Sequence, residues 1–316
     1  MKYDLVVSYV DSTKEKWQKE YTKYMNEEIK EGKQKATNRQ AFGIERTRDW
    51  ETLKYYLRCV EKNCKWVRNV IVIMQDEDQL PDWLDTNNDK LRVIYHRDYI
   101  PKELLPTFNS VEIGMYISRI KDLSDLYVIS DDDFYFINEV SEDLFFRNGK
   151  TLQTDKRHPY CLYDERYTTA SDGVFYQILN NNLMFEKKYM NGEKIKYAMT
   201  HMPTSRDKKV EQQILNENEE LFMERFKNSR FRHGSQISAE TFPNILKLKK
   251  LCEFDNNLTS NCMYVTLKSD VDFDLYKDYK IVCFNATEQL DDFETTKEKL
   301  HKFFEKLFPN KSSFEK

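Results

Sequence analysis

Leu126-Tyr127-Val128-Ile129-Ser130-Asp131-Asp132-Asp133-Phe134-Tyr135-Phe136 is the stretch on which the reading of this 316-residue chain turns. A short run of aliphatic, aromatic and β-branched residues leads into three consecutive carboxylates. That is the pattern of a buried strand delivering Asp131, Asp132 and Asp133 to one edge of a sheet. Carboxylates this close repel one another, so a fold keeps them together only when a divalent cation, a proton or basic side chains offset the charge. In an open α/β sheet, strand ends are also where ligands bind. Taken alone, the triplet is equally an acidic turn that stops the strand, and the flanking sequence has to decide.

Working outward, Leu5 to Val10 is a first strand that ends at Asp11-Ser12-Thr13, where Asp11 suits a sheet-edge carboxylate and a helix cap alike. From Lys14 to about Arg39 the chain is helix-permissive, with Trp17, Tyr21, Tyr24 and Met25 as packing residues. Asp49 to Asn63 is an amphipathic helix carrying Leu53, Tyr56, Leu57 and Val60 on one face, and Val67 to Met74 is a nearly continuous apolar strand. Pro81 to Leu84 opens a helical turn, Leu91 to His96 is another strand, and Val111 to Ile120 is a helix with Ser110 as its cap. This alternation predicts an α/β fold with a mostly parallel central sheet flanked by helices, of the nucleotide-sugar-binding type.

Beyond Phe145 the pattern loosens. Tyr160 to Tyr167 is aromatic and irregular, Asn180-Asn181-Asn182 marks a turn, and Lys187 to Lys196 is a basic loop. His201 sits beside the Pro203 turn, Glu211 to Phe226 is a helix, and Ser229 to Gln236 brings Arg230, Arg232 and His233 together. Arginine forks are the usual device for planar phosphate contacts. Late strands at Tyr264–Leu267 and Lys280–Asn285 and a helix at Thr295–Leu307 follow; two phenylalanines in the tail argue against a free end.

Bulk composition narrows the function. A formal net charge of −4 argues against a global nucleic-acid footprint while leaving room for a local basic groove, and 33% charged with 40% apolar residues fits a soluble domain. No stretch approaches the roughly 20 apolar residues of a membrane span, so membrane contact would be peripheral, with the basic Lys187 to Lys196 region as its surface. Six cysteines without metal or disulfide spacing are expected as reduced thiols of a cytoplasmic protein.

Several stretches together resemble the Stealth family, the hexose-1-phosphate transferases of microbial capsule synthesis, which are related to the animal lysosomal-enzyme GlcNAc-1-phosphotransferase. The matching blocks are Asp4 to Asp11; Arg48-Asp49, Leu53 to Lys62, Trp66 to Arg68, Pro81 to Leu84, Pro106 to Ser110 and the acidic strand; His201-Met202-Pro203 with Phe231-Arg232-His233; and Cys283-Phe284-Asn285 with Phe303 to Pro309 and Ser312 to Glu315. Tyr9 and Ser12 replace the family's usual Trp and Gly, Asp131 stands where an Asn is usual, and Ala286 replaces a frequent acidic residue.

The resemblance implies one catalytic domain over 1–316. Residues 1–145 form its nucleotide-sugar and metal half, 146–260 a helical and loop region carrying His201 and Arg232, and 261–316 the returning strands and last helix. It implies transfer of a sugar-1-phosphate from a nucleotide diphosphosugar, a UDP-N-acetylhexosamine, to a hydroxyl of a polysaccharide acceptor, with release of UMP. Asp132 and Asp133 would hold Mg²⁺ or Mn²⁺, His201 would be the general base, Arg232 would stabilise the transferred phosphoryl group, and Asp11 would point to the same edge. Asn109, Ser110, Arg48 and Asn285 would bind the donor. Two alternatives stay open: a metal-dependent glycosyltransferase that moves only the sugar and releases UDP, and a non-catalytic carbohydrate-binding or scaffolding protein. For each residue a structural role competes with the chemical one: Asn109 and Ser110 as caps, Asn285 as a turn residue, and Arg232 as the partner of a surface carboxylate.

Overall fold

A strand buried on both faces needs apolar residues at every position, and the first strand meets that demand with Leu5, Val6 and Val7 all fully buried. In the computed structural model, which describes residues 3–154, 173–191, 201–287 and 290–316, the strands in chain order are β1 (Tyr3–Ser8), β2 (Val67–Met74), β3 (Leu91–Tyr95), β4 (Leu126–Ser130), β5 (Phe134–Phe136), β6 (Phe146–Arg147), β7 (Lys150–Gln153), β8 (Thr204–Asp207), β9 (Glu253–Phe254), β10 (Cys262–Thr266) and β11 (Ile281–Asn285). The helices are α1 (Glu15–Lys30), α2 (Arg39–Phe42), α3 (Leu53–Asn63), α4 (Ser110–Met115), α5 (Val174–Glu186), α6 (Lys208–Glu217), α7 (Glu219–Lys227), α8 (Thr241–Leu248), α9 (Asn257–Asn261) and α10 (Phe293–Leu307).

The central sheet runs β3-β2-β1-β4-β8. Its first four strands are parallel, and β8 closes the edge antiparallel to β4. Alternation along the strands divides the interior in two. Leu5, Val7, Val70, Val72, Met74 and Val128 face a core covered by α3 and α10, whereas Val6, Ile71, Ile73 and Tyr127 face one covered by α6, α7 and α8. The fold is thus α/β with a mostly parallel sheet between helices. The amino ends of β1, β2 and β4 are pinned by Asp4, whose buried carboxylate accepts from Arg68 Nε (2.9 Å) and Nη2 (2.6 Å), Asn69 Nδ2 (3.0 Å) and Ser124 N (2.8 Å). Of two smaller sheets, β10-β11-β5 continues from the end of β4, whereas β6-β7-β9 lies beside β8, where Ser205 Oγ donates to Leu152 O at 2.9 Å.

Several local expectations give way to tertiary partners. Asn180, Asn181 and Asn182 lie inside α5 rather than in a turn. The amide of Asn181 donates to the carbonyls of Gly234 (2.7 Å) and Gln236 (3.0 Å), while Asn182 exchanges two hydrogen bonds of 2.8 Å with Ser238. Satisfied across the molecule, these side chains no longer compete for their own backbone. The single helix expected over 211–226 is two, divided at Asn218, whose amide donates back to Ile214 O at 2.7 Å. The helix after Ser110 stops at Met115 and continues as a 3-10 turn, Ile117–Arg119. Pro81–Leu84 is a non-helical turn in which Leu84 bridges to Glu315. The tail is fixed: Phe308 and Phe314 are buried, and Arg58 holds Glu315 through two bonds of 2.7 and 2.6 Å. Tyr160 to Tyr167, Cys161 and the latter part of the Lys187 to Lys196 stretch lie outside the described residues.

Candidate active site

The strand order reverses between β1 and β4, because the chain leaves β1 toward β2 and β3 and returns on the other side through β4. A crevice at the carboxyl ends of the strands is expected at such a point. β1 brings Tyr9, Val10 and Asp11 there, and β4 brings the three aspartates. The triplet forms a tight turn, with Phe134 N donating to Asp131 O at 3.3 Å and Phe284 N donating to Asp133 O at 2.9 Å. The turn therefore hands the chain from the central sheet to the small sheet containing β5 and β11.

His201, from the segment just before β8, enters between these carboxylates. Its Nδ1 lies 3.8 Å from Asp131 Oδ2 and its Nε2 3.8 Å from Asp133 Oδ2. The register of the small sheet sets Tyr264 of β10 beside Cys283 of β11, and Cys283 beside Phe134 of β5, in one row across a single face. The imidazole packs against both ends of that row, with ring centroids 4.9 Å from Phe134 and 5.8 Å from Tyr264. Cys283 Sγ donates to Asp133 Oδ2 at 3.3 Å.

Opposing effects set the charge on this cluster. Withdrawal from water disfavours a cationic His201, but Asp133 and Asp131 outweigh it and raise the imidazole to about 9. With the carboxylates ionised, His201 therefore carries its proton at neutral pH. Burial, followed by the charges of Asp133, Asp131 and Asp49, raises Asp132 well above the carboxylate range. Burial, opposed by a hydrogen bond from Glu51 N and reinforced by the charge of Asp11, raises Asp49 to about 6. Asp49 also accepts from the Tyr9 hydroxyl at 3.4 Å. Burial and Asp133 keep the Cys283 thiol protonated.

A second, cationic part acts on Asp131 as well, through the charges of Arg232 and Arg46. Arg232 Nη2 donates to Ser110 Oγ at 2.9 Å, and Arg46 Nη2 approaches the same oxygen at 3.4 Å. Partial burial and the charge of Arg46 lower the Arg232 guanidinium to about 9, while Glu240 and Asp131 oppose the fall. Arg232 Nε is a buried donor with no hydrogen-bond partner among the described residues. The loop carrying Arg232 is held by buried Phe231, stacked on Phe108 at 5.3 Å, and by Gln236 Nε2 donating to Phe231 O at 3.0 Å. Two cations converging on one hydroxyl form a receptor for an anion.

The structure thus gathers Asp131, Asp133 and His201 in direct approach, with Asp11 and Asp132 on the same edge and Arg232 with Ser110 beside them. Asn109 is fully buried and caps α4, its Oδ1 accepting from Val111 N at 3.1 Å, so it sets the position of Ser110. Asp11 Oδ1 accepts from Thr13 N at 2.9 Å and so shapes the turn into α1. Asn285 ends β11 opposite Thr266, on the face of the Tyr264–Cys283 row. Arg48 stacks 5.0 Å from Phe293 at the start of α10. Arg230 and His233 turn elsewhere: Arg230 donates to Leu104 O and Pro106 O, and His233 Nδ1 meets Ser235 Oγ. Sequence reasoning quoted Asp49 in the Arg48-Asp49 block without giving it a role, and missed Arg46, Glu240 and Tyr264. Arg46 lies two residues before that block, a nearness that was a usable signal; Glu240 and Tyr264 had none.

A divalent cation fits one part of this constellation. Asp133 Oδ1 is buried and lacks a hydrogen-bond partner among the described residues. Asp133, His201 and Cys283 place an oxygen, a nitrogen and a sulfur within 4.8 Å of one another. Because the thiol is protonated and the imidazole is charged, the donors on offer are the carboxylate oxygens, which suit a hard cation.

Comparison with known proteins bears on the same residues. Residues 46–154, which include the triplet and Ser110, match the family model described as Stealth protein CR2, conserved region 2. Over 313 aligned residues the chain is 30% identical to a capsular polysaccharide phosphotransferase, WcwK, of Streptococcus pneumoniae, covering 86% of this chain and 88% of that protein. It is 28% identical to the receptor polysaccharide phosphotransferase WefC of Streptococcus oralis over 99% of both chains. It is 37% identical to the capsular polysaccharide phosphotransferase eps5J of Streptococcus thermophilus over 46% of this chain and 58% of that one. No helix among the described residues is long and apolar enough to cross a membrane. With an acidic edge, an imidazole and an arginine pair at the switch point, and a relative of this similarity over most of its length, the chain belongs to the Stealth family of polysaccharide phosphotransferases.

Proposed function

We propose that the protein transfers a sugar-1-phosphate from a nucleotide diphosphosugar, a UDP-N-acetylhexosamine, to a hydroxyl of a polysaccharide acceptor in capsule or cell-surface polymer synthesis. The acceptor oxygen attacks the phosphorus that bears the sugar, its proton passes to the protein, the bond to the second phosphate breaks, and UMP leaves. The observation that carries this reading is the insertion of His201 between Asp131 and Asp133, at 3.8 Å from each, beside an arginine pair fixed on Ser110. Phosphoryl transfer needs in-line positioning and charge stabilisation more than covalent chemistry, and each part has a residue here.

Asp132 and Asp133 would hold Mg²⁺ or Mn²⁺, which supplies charge neutralisation for the diphosphate. Arg232, with Arg46 beside it, binds and orients the phosphoryl oxygens, and Ser110 fixes the fork that does so. His201 takes the acceptor proton. Its raised proton affinity comes from hydrogen bonding to Asp133 and from the charges of Asp131 and Asp133, so offsetting those charges is what frees the imidazole to act as a base at neutral pH. Asp11 extends the acidic edge, and Asn285 orients the substrate from the small sheet. The five free cysteines among the described residues support a cytoplasmic setting, where nucleotide sugars are available. The test is product analysis with a panel of nucleotide sugars and a short acceptor, with and without chelator. UMP release that the chelator stops is the expected result; UDP release assigns the protein to sugar transfer instead.

A further inference from the structure

The exposed face of the small sheet carries a feature that phosphate chemistry does not use. Tyr264 is 45% exposed although it stands on a strand inside the fold. Its register partner Cys283 and the next residue in the row, Phe134, are fully buried, so the row rises from the core to an open aromatic ring at the edge strand β10. The ring meets His201 nearly edge-on, at 5.8 Å between centroids and 74° between planes. Val265, on the opposite face of the same strand, and Leu267, just beyond it, are anchored in the core. The strand beneath the ring is thus fixed while Tyr264 itself stays open to water.

The placement also serves the base. His201 lies 3.8 Å from Asp131 and from Asp133 and meets Tyr264 edge-on, so the imidazole has an uncharged aromatic ring as well as the acidic edge for a neighbour. An attacking hydroxyl must approach the phosphorus opposite its leaving group, on the side of the base. A neutral, many-hydroxyl pyranose presents an apolar C–H face, and burying such a face on a rigid tyrosine is the favourable way to bind it without charge.

We propose that Tyr264 is the platform of the acceptor subsite, on which a pyranose ring of the polysaccharide stacks with its attacking hydroxyl toward His201. The inference rests on the reaction proposed above for its orientation, but it is read through acceptor affinity and so has its own outcome. Thr266, exposed two residues on and facing the same way, lines the path of the next sugar.

The experiment measures steady-state KM for acceptor and for donor separately, using UDP-N-acetylhexosamine and a dephosphorylated oligosaccharide prepared from the polymer the host makes. In Tyr264→Ala the acceptor KM is expected to rise about tenfold or more, as loss of one stacked ring predicts, while the donor KM stays within about twofold. Tyr264→Phe, which keeps the ring and gives up the hydroxyl, is expected to hold the acceptor KM near the parent value and shows that the ring, not the fold, is being read. An unchanged acceptor KM in Tyr264→Ala overturns the proposal, as does an equal rise in both constants, which would make Tyr264 a support for His201. If the parent enzyme releases UDP instead of UMP, the reaction assignment falls while the acceptor KM still decides the platform.

Discussion

Replacing Arg232 by lysine isolates the geometry of the fork from its charge. In the structure Arg232 Nη2 is committed to Ser110 Oγ at 2.9 Å, and the buried Nε has no partner among the described residues, so Nε is the donor that remains for an anion. Lysine keeps the positive charge and offers a point donor in place of that edge. The expected loss is one charge-assisted hydrogen bond, about 1.5–3 kcal/mol, which corresponds to roughly a 10- to 100-fold fall in kcat at about 1.4 kcal/mol per decade. Arg232→Ala also removes the charge and should cost on the order of 100- to 1000-fold or more, as for other preorganised transition-state donors. The assay is nucleotide release under saturating donor and acceptor, with thermal melting to verify the fold. A kcat for Arg232→Lys within twofold of the parent, or an alanine variant no worse than the lysine one, would refute the assignment of a forked phosphate contact.

Other expectations follow from the same contacts. Asp133→Ala and His201→Ala should each abolish turnover while leaving near-native circular dichroism; parent-like activity in either removes that residue from the mechanism. Glu186 is fully buried, with Oε1 accepting from Asn244 at 3.0 Å and Oε2 without a hydrogen-bond partner among the described residues, and burial raises it to about 8. The folded protein then keeps a proton that the unfolded chain gives up above about 4.5, so stability falls as pH rises from about 4.5 to 8. Glu186→Gln should flatten that slope and stabilise the protein at pH 7 by on the order of 3 kcal/mol, measured by urea unfolding across pH; an unchanged slope contradicts the burial argument. Arg58→Ala removes the forked partner of the half-buried Glu315, which keeps only its bonds from Ser312, and about 1.5–3 kcal/mol of stability should be lost, which denaturant titration reads directly.

Local pattern carried much of this architecture. The apolar runs of β1, β2 and β4 announced strands buried on both sides, and the aspartate triplet declared a charged edge, because both signals are contained in a few consecutive residues. Asn180 to Asn182 misled for the complementary reason: their intrinsic turn preference is overruled by the Gly234–Ser238 loop, 50 or so residues away, which no local window contains. The meeting of Arg46, Ser110 and Arg232 was equally invisible, since three separate segments supply it. The row of Tyr264, Cys283 and Phe134 depends on a three-residue strand pairing with one nearly 150 positions later. His201 was legible as a candidate but its charge was not, because the imidazole's proton affinity is set by two carboxylates that only the fold brings to it.

The central claim is that phosphorus moves with the sugar. A donor carrying ³²P in the phosphate attached to the sugar, incubated with the enzyme and its acceptor, tests it directly. The label should enter the polymer as a phosphodiester while unlabelled UMP accumulates; label retained in released UDP, with an unlabelled polymer, contradicts the account.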